Sequence, residues 1–73
     1  MPENINPKYL IFTYYNGQRY YLMKDSSLAL LNAKPFEKYK SYCTKKNARR
    51  YAREMTRKCG YLHQFSVIQV YFK

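Results

Sequence analysis

Residue types that build catalytic and metal sites are scarce in this chain of 73 residues. It has no tryptophan, one histidine, two cysteines, two glycines and four acidic residues. This inventory supplies neither a glycine-rich phosphate loop nor paired carboxylates nor a nucleophile with an adjacent base. Cys59 and His63 have ligand-like spacing, but a zinc site needs about four donors. We therefore predict that the protein is not an enzyme and has no cofactor and no metal site.

Long apolar runs are also missing. No stretch approaches the ~20 residues that a membrane-spanning helix needs. The N-terminal residues lack the basic segment followed by an apolar segment that marks a signal peptide. Two cysteines, Cys43 and Cys59, fit reduced thiols of an intracellular protein. We predict a cytoplasmic location.

Charge is the dominant feature that is present. Fourteen lysines and arginines face four acids, which gives a net charge of +10. Self-repulsion at this charge opposes folding, and a small domain stays soluble with less. The usual partners of such a surface are nucleic acid, an acidic protein face or an anionic membrane.

A β-hairpin is the clearest local prediction. Residues 8–15 and 18–24 are rich in aromatic and β-branched side chains, which favour strands. Asn16 and Gly17 between them are typical of a two-residue type I′ turn, which places Tyr15 opposite Gln18. The two faces of this hairpin are similarly apolar.

The other segments are assigned from their helix-breaking residues and from the periodicity of their apolar residues. Residues 1–7 contain two prolines and predict a loose N-terminal arm. Residues 25–35 are a connection in which Leu28, Leu30 and Leu31 are expected to pack on the core. One helical turn is a possible form for these three residues. Residues 36–43 fit either three-residue helical spacing or a short third strand. Residues 65–72 alternate and predict a last strand, either central or with a partner on one face.

One long helix is predicted over residues 45–59. Thr44 is a good N-cap and Gly60 a natural residue to follow the C-terminus. The predicted apolar stripe is Ala48, Tyr51, Ala52, Met55 and Cys59, at helical spacing. The fold class is therefore α+β, with a small antiparallel sheet of three to four strands and one helix packed on a face. The order is β-β-(β)-α-β, and residues 8–73 form a single basic domain.

The helix face opposite the apolar stripe is almost purely cationic. Ordinary solvated helix faces mix charges, because pairs of opposite sign four residues apart stabilise them, whereas like pairs cost a few tenths of a kcal/mol. Here Arg49–Arg53 and Arg53–Arg57 are like pairs, with Glu54 as the sole acid of the segment. We interpret this face as a binding surface for phosphates or carboxylates. Its candidate residues are Lys46, Arg49, Arg50, Arg53 and Arg57, with Lys45 and Lys58 flanking them.

A second candidate surface is the hairpin, on a face that we expect the helix to leave uncovered. Aromatic side chains on a sheet beside cations can stack bases, and they are also common in protein interfaces. The candidate residues are Tyr9, Tyr15, Gln18, Arg19 and Tyr20.

Residues 39–52 (YKSYCTKKNARRYA), following two strands rich in Tyr and Phe, resemble the arm-type DNA-binding domain of tyrosine recombinases, the phage integrases. The matching positions are Tyr42, Thr44, Lys45, Lys46, Ala48 and Tyr51. That family has a three-stranded sheet that reads DNA, followed by a helix, so the resemblance implies DNA binding. This chain departs from the family because a strand follows the helix and its cations lie on the helix. The short, basic, Tyr- and Asn-rich chain also resembles phage accessory proteins, many of which disarm host defences such as CRISPR nucleases, which implies the host cytoplasm.

The leading prediction is a nucleic-acid-binding module that uses the cationic helix face. The alternative is a phage-type inhibitor, such as an anti-CRISPR protein, that binds an acidic surface or the active groove of a host nuclease or other enzyme. A membrane partner is not expected, because the apolar stripe is narrow and lacks Trp, Phe and Leu. The two-sided apolar sheet is compatible with a homodimer.

Overall fold

The structure is a computed structural model, described here over residues 7–31 and 33–71. Five strands form one antiparallel sheet, and one helix packs on it. The strands are β1 (Pro7–Tyr15), β2 (Gln18–Leu22), β3 (Leu28–Ala29), β4 (Ser41–Tyr42) and β5 (Ser66–Tyr71). The helix α1 spans Lys45–Lys58, and a 3-10 turn spans Phe36–Lys38. The predicted α+β class, with one helix on a small antiparallel sheet, is confirmed.

Strand β1 is the centre of the sheet. Its residue Tyr9 pairs with Gln69 of β5 and with Tyr42 of β4. Its residue Phe12 pairs with Ser66 of β5 and with Tyr21 of β2. A strand has only two edges, so β5 occupies one edge of β1 while β2 and β4 follow each other along the other.

The hairpin has the predicted register. Tyr15 pairs with Gln18 and Thr13 pairs with Tyr20. Asn16 and Gly17 have φ values of 53° and 79°, the left-handed conformation that a type I′ turn requires at both central positions. The Asn-Gly pair thus fixes which side chains of β1 and β2 share a face.

Two hydrophobic clusters lie on opposite faces of the sheet. The cluster between α1 and the sheet, on what we call the helix face, consists of Ile11, Leu22, Ala52 and Phe65. The cluster on the opposite face consists of Leu10, Tyr21, Met23 and Tyr39. Both faces of β1 and β2 are therefore buried in part, which explains why neither reads as polar in the sequence.

The helix begins and ends close to the predicted limits. Thr44 caps it, because its Oγ1 accepts a hydrogen bond from the Asn47 N–H at 3.3 Å. Gly60 follows the C-terminus with a φ of 66°. The apolar stripe faces the sheet as predicted, with Ala48 and Ala52 buried so that the helix can approach closely.

Two segments differ from the expectations. Pro7, assigned to the arm, is the first residue of β1, where a strand tolerates proline; residues 1–6 lie outside the described residues. Leu28 is part of the short strand β3 rather than of a helical turn. It is 44 % exposed, and Leu30 and Leu31 are 40 % and 41 % exposed, so their predicted packing on the core is wrong. Ala29 contacts the core instead.

Residues 36–43 combine the two alternatives left open by the sequence. The 3-10 turn comes first and β4 follows it. Tyr39 between them is buried, and its hydroxyl donates a hydrogen bond to the Leu30 carbonyl. Strand β5 is not central: over the described residues it pairs with β1 alone. In the part of the chain that is described, no helix has the length and apolar character to cross a membrane.

Candidate functional site

The cationic face of α1 points away from the sheet and into solvent. All seven predicted cations are exposed. Five of them surround one shallow depression on the helix surface: Lys45, Lys46, Arg49, Arg50 and Arg53. Arg57 and Lys58 occupy the last turn of the same helix. The structure therefore brings these side chains onto one helix and concentrates five of them along its first three turns.

This concentration of charge is not compensated by the residues that the structure describes. The first turn of α1 contains no acid, although acids are favoured there by the helix dipole. Glu54 is half-buried. Within residues 7–31 and 33–71, no ion pair is formed by any of the seven cations. The guanidinium and ammonium groups therefore remain available to an external anion.

A groove runs beside the cationic face, between α1 and the start of β5. Its volume is about 380 Å³. Lys45, Arg49 and Arg53 form the helix wall. The facing wall contains Tyr61, Gln64 and Ser66, and the floor contains Ala52, Thr56, Phe65 and Val67. The groove thus combines a cationic wall, an aromatic and polar wall, and an apolar floor.

Two threonine hydroxyls hold the wall of this groove in place. The Oγ1 of Thr56 donates to the Ala52 carbonyl at 3.0 Å and accepts from the Phe65 N–H at 2.9 Å. The buried Thr13 donates from its Oγ1 to the Gln64 carbonyl at 2.9 Å. The bond from Phe65 ties the residues just before β5 to the helix, and the bond to Gln64 ties them to β1, so residues 64 and 65 are fixed from both sides.

The turn after α1 projects two large side chains into solvent. Tyr61 is 73 % exposed and Leu62 is 82 % exposed. Tyr61 has a φ of 64°, a left-handed conformation that is uncommon for an aromatic residue. Its N–H donates to the Thr56 carbonyl at 3.0 Å. This backbone bond holds Tyr61 at the end of the groove although its ring buries little area.

Sequence reasoning missed this wall of the groove. Tyr61, Gln64 and Ser66 come from the turn after the helix and from the next strand, and only the tertiary fold brings them to Arg49 and Arg53. No local signal marked Tyr61, because an apolar residue is common directly after the glycine that ends a helix.

The second predicted surface is divided by the fold. The helix covers the face of Ile11 and Leu22, which is the face shared by Tyr9, Tyr15 and Tyr20, so the expectation of an uncovered face is wrong. Tyr9 and Tyr20 are half-buried at its margin. Tyr15, which is 53 % exposed, lies beyond the helix with its ring centroid 5.8 Å from that of His63. Gln18 is exposed at the hairpin turn.

Arg19 lies on the opposite face and is used within the protein. Its guanidinium donates to the Tyr14 hydroxyl at 2.7 Å and to the Tyr21 hydroxyl at 3.2 Å. It also lies 4.4 Å from the centroid of the Phe12 ring. The hydrogen bonds that Arg19 donates to Tyr21 and, to a smaller extent, to Tyr14 raise the pKa of Arg19 above its usual value. We therefore assign Arg19 to packing of the opposite face, apart from the cations of α1.

Tyr42 and Lys40 lie at the other margin of the helix. The Lys40 ammonium is 5.8 Å from the centroid of the Tyr42 ring and 5.9 Å from that of Tyr51. The Tyr42 hydroxyl is buried and has no hydrogen-bond partner among the described residues. Burial, followed by the influence of Tyr51, raises the pKa of Tyr42 to about 12. This hydroxyl therefore stays protonated at neutral pH.

Groups suited to metal binding do not converge in the described part of the chain. Within residues 7–31 and 33–71, no three His, Cys, Asp or Glu side chains come together in a group that could hold a metal ion. Cys43 and Cys59 are free thiols. The chemistry that these residues offer is thus the binding of anions and the stacking of aromatic rings.

Comparison with known protein families, curated proteins and solved structures finds no match for this chain.

Proposed function

We propose that this protein binds nucleic acid through the cationic face of α1. The observation that carries the proposal is the exposed, uncompensated set of seven cations on one helix. Four of them are arginines, whose planar guanidinium matches the oxygens of a phosphate in bidentate contacts. Neutralising phosphates would relieve the repulsion among these residues and release counterions from the nucleic acid.

The cationic face lowers the stability of α1. This favours a face that binds an anion over a face that is only solvated. Lys46 and Arg50, Arg49 and Arg53, and Arg53 and Arg57 are like-charged neighbours four residues apart, each destabilising by about 0.2–0.5 kcal/mol. Lys45 and Lys46 also oppose the helix dipole in the first turn. A bound polyanion removes these penalties, since each phosphate lies between cations that otherwise repel.

The test removes charge from the cationic face without changing the fold. The double variant Arg50→Ala, Arg53→Ala removes two exposed cations and leaves a helix of higher intrinsic propensity. Loss of two phosphate contacts would make the slope of log K against log salt less steep by about 1.4–1.8, and would weaken binding to all sequences alike.

A matched control is available on another part of the surface. Lys24 and Lys38 are exposed and lie beside Asp25 and Glu37, away from α1. The variant Lys24→Ala, Lys38→Ala loses the same net charge, and we expect its slope to stay close to that of the parent protein. Equal losses in both double variants would mean that net charge alone drives binding, and the assignment to α1 would fail.

The alternative partner is an acidic protein surface, such as the active groove of a host nuclease, bound by a phage-type inhibitor. Its support is the exposed arginine and tyrosine next to one groove, since these residue types are enriched in protein interfaces. Such a protein would bind one partner tightly and free nucleic acid weakly at physiological salt.

A further inference from the structure

We infer that the groove between α1 and β5 selects single-stranded over double-stranded nucleic acid, with one base stacked on Tyr61. This inference rests on the proposed function and adds to it a substrate class and a contact residue. A single strand presents a phosphate chain together with exposed bases. The groove has a surface for each of them, cations for the phosphates and an aromatic ring for a base.

The helix wall fits the phosphate chain. Lys45, Arg49 and Arg53 line it at intervals of four residues, which is about 6 Å along the helix axis. A flexible sugar–phosphate chain running along α1 meets one cation at each interval. Arg49 and Arg53 are exposed, so their guanidinium groups can turn toward phosphates on the groove side of the helix.

The facing wall fits a base that is free of its partner. Tyr61 lines the same groove as Arg53 and is 73 % exposed. Its ring is therefore available to stack on a base, and bases in a duplex are already stacked on their neighbours. Gln64 is exposed on the same wall, and its amide can both donate to and accept from a base edge.

The size and support of the groove suit one nucleotide. A volume of about 380 Å³ lies at the lower end of the ~300–1,000 Å³ of small-molecule sites. The Tyr61 N–H donates to the Thr56 carbonyl and the Phe65 N–H donates to the Thr56 Oγ1, so the backbone at both residues is fixed before any ligand binds. Preorganisation of this kind reduces the entropy lost on binding.

The experiment compares a labelled 12-nucleotide single strand with the duplex of the same sequence, by fluorescence anisotropy at physiological salt. We expect the parent protein to bind the single strand at least ~5-fold more tightly than the duplex, the smallest effect of one stacked base. The variant Tyr61→Ala should lose about 5- to 140-fold in affinity for the single strand, the range that corresponds to one stacked base. Its affinity for the duplex should not change, and Tyr61→Phe should keep the affinity of the parent protein.

Two controls separate stacking from general damage. Leu62→Ala removes an equally exposed side chain from the same turn that does not line the groove. Tyr61→Asn repeats the loss of the ring with a residue that tolerates the left-handed φ of 64°. Leu62→Ala should bind like the parent protein, and Tyr61→Asn like Tyr61→Ala.

The outcomes separate this inference from the proposed function. Equal affinity for single strand and duplex, or an unchanged affinity in Tyr61→Ala, would overturn the inference and leave binding through α1 intact. Absence of binding to both probes would overturn the proposed function and the inference with it.

Discussion

Replacing Thr56 by valine tests whether one hydroxyl holds the residues that lead into β5 against the helix. The Oγ1 of Thr56 accepts from the Phe65 N–H at 2.9 Å, and Phe65 is only 7 % exposed. Valine has nearly the same shape but cannot accept a hydrogen bond. The variant therefore leaves a buried backbone donor without a partner and changes little else.

The expected loss follows from that one donor. A buried N–H without a partner costs about 1–3 kcal/mol. A domain of this length has a total free energy of unfolding of about 4–11 kcal/mol. A loss of about 2 kcal/mol would lower Tm by about 8–16 °C. The second bond of the hydroxyl, to the Ala52 carbonyl, adds little because that carbonyl also accepts within the helix.

The assay is urea unfolding followed by circular dichroism, with Thr56→Ser as the matched control. Serine keeps the hydroxyl and loses only a methyl group, so its free energy of unfolding should lie well above that of Thr56→Val. If the valine variant were as stable as the serine variant, the bond to Phe65 would not hold the strand, and the argument for a preorganised groove would lose its basis.

Three further predictions concern stability. Tyr42→Phe removes a buried hydroxyl that has no partner among the described residues, so its free energy of unfolding should equal or exceed that of the parent protein. The pKa of Tyr42 is raised to about 12 from about 10 in the unfolded chain, so the unfolded chain loses this proton first and the free energy of unfolding falls as pH rises from 10 to 12. Tyr42→Phe should lose less stability over that interval in parallel urea titrations. Lys46→Glu should stabilise α1 by about 0.5–1.5 kcal/mol, through the helix dipole and a pair with Arg50, while weakening nucleic-acid binding; a parallel gain in both measurements would contradict the trade-off. Gly17→Ala should lower the free energy of unfolding by about 1–2 kcal/mol, because alanine is strained at a φ of 79° even though its Cβ would meet no other atom within 4 Å. An unchanged Tm in thermal unfolding would refute that reason.

Features set by neighbouring residues were predictable. The hairpin register follows from Asn16 and Gly17, whose left-handed conformation leaves one way to pair the flanking strands. The helix start follows from Thr44, whose hydroxyl satisfies a backbone donor of the first turn. Five of the cations could be placed on one face, with Lys45 and Lys58 at its flanks, because helical periodicity alone decides which residues neighbour each other.

Features set by packing between distant segments were not predictable. Ile11 and Leu10 are both fully buried, so composition did not indicate which face of β1 the helix would cover. The choice depends on where Tyr39 and Ala29 fold against the opposite face. The groove is formed by α1, the turn at Tyr61 and the start of β5. No local sequence pattern predicts that these three segments lie together.

The central claim, that α1 binds phosphates, is tested most directly by a salt titration of the parent protein with a single-stranded probe. Contacts from about five cations predict a slope of log K against log salt of about −3.5. We expect that slope, together with sub-micromolar affinity that persists at physiological salt. A slope near zero, or binding that disappears at physiological salt, would contradict the account and direct the search to an acidic protein partner.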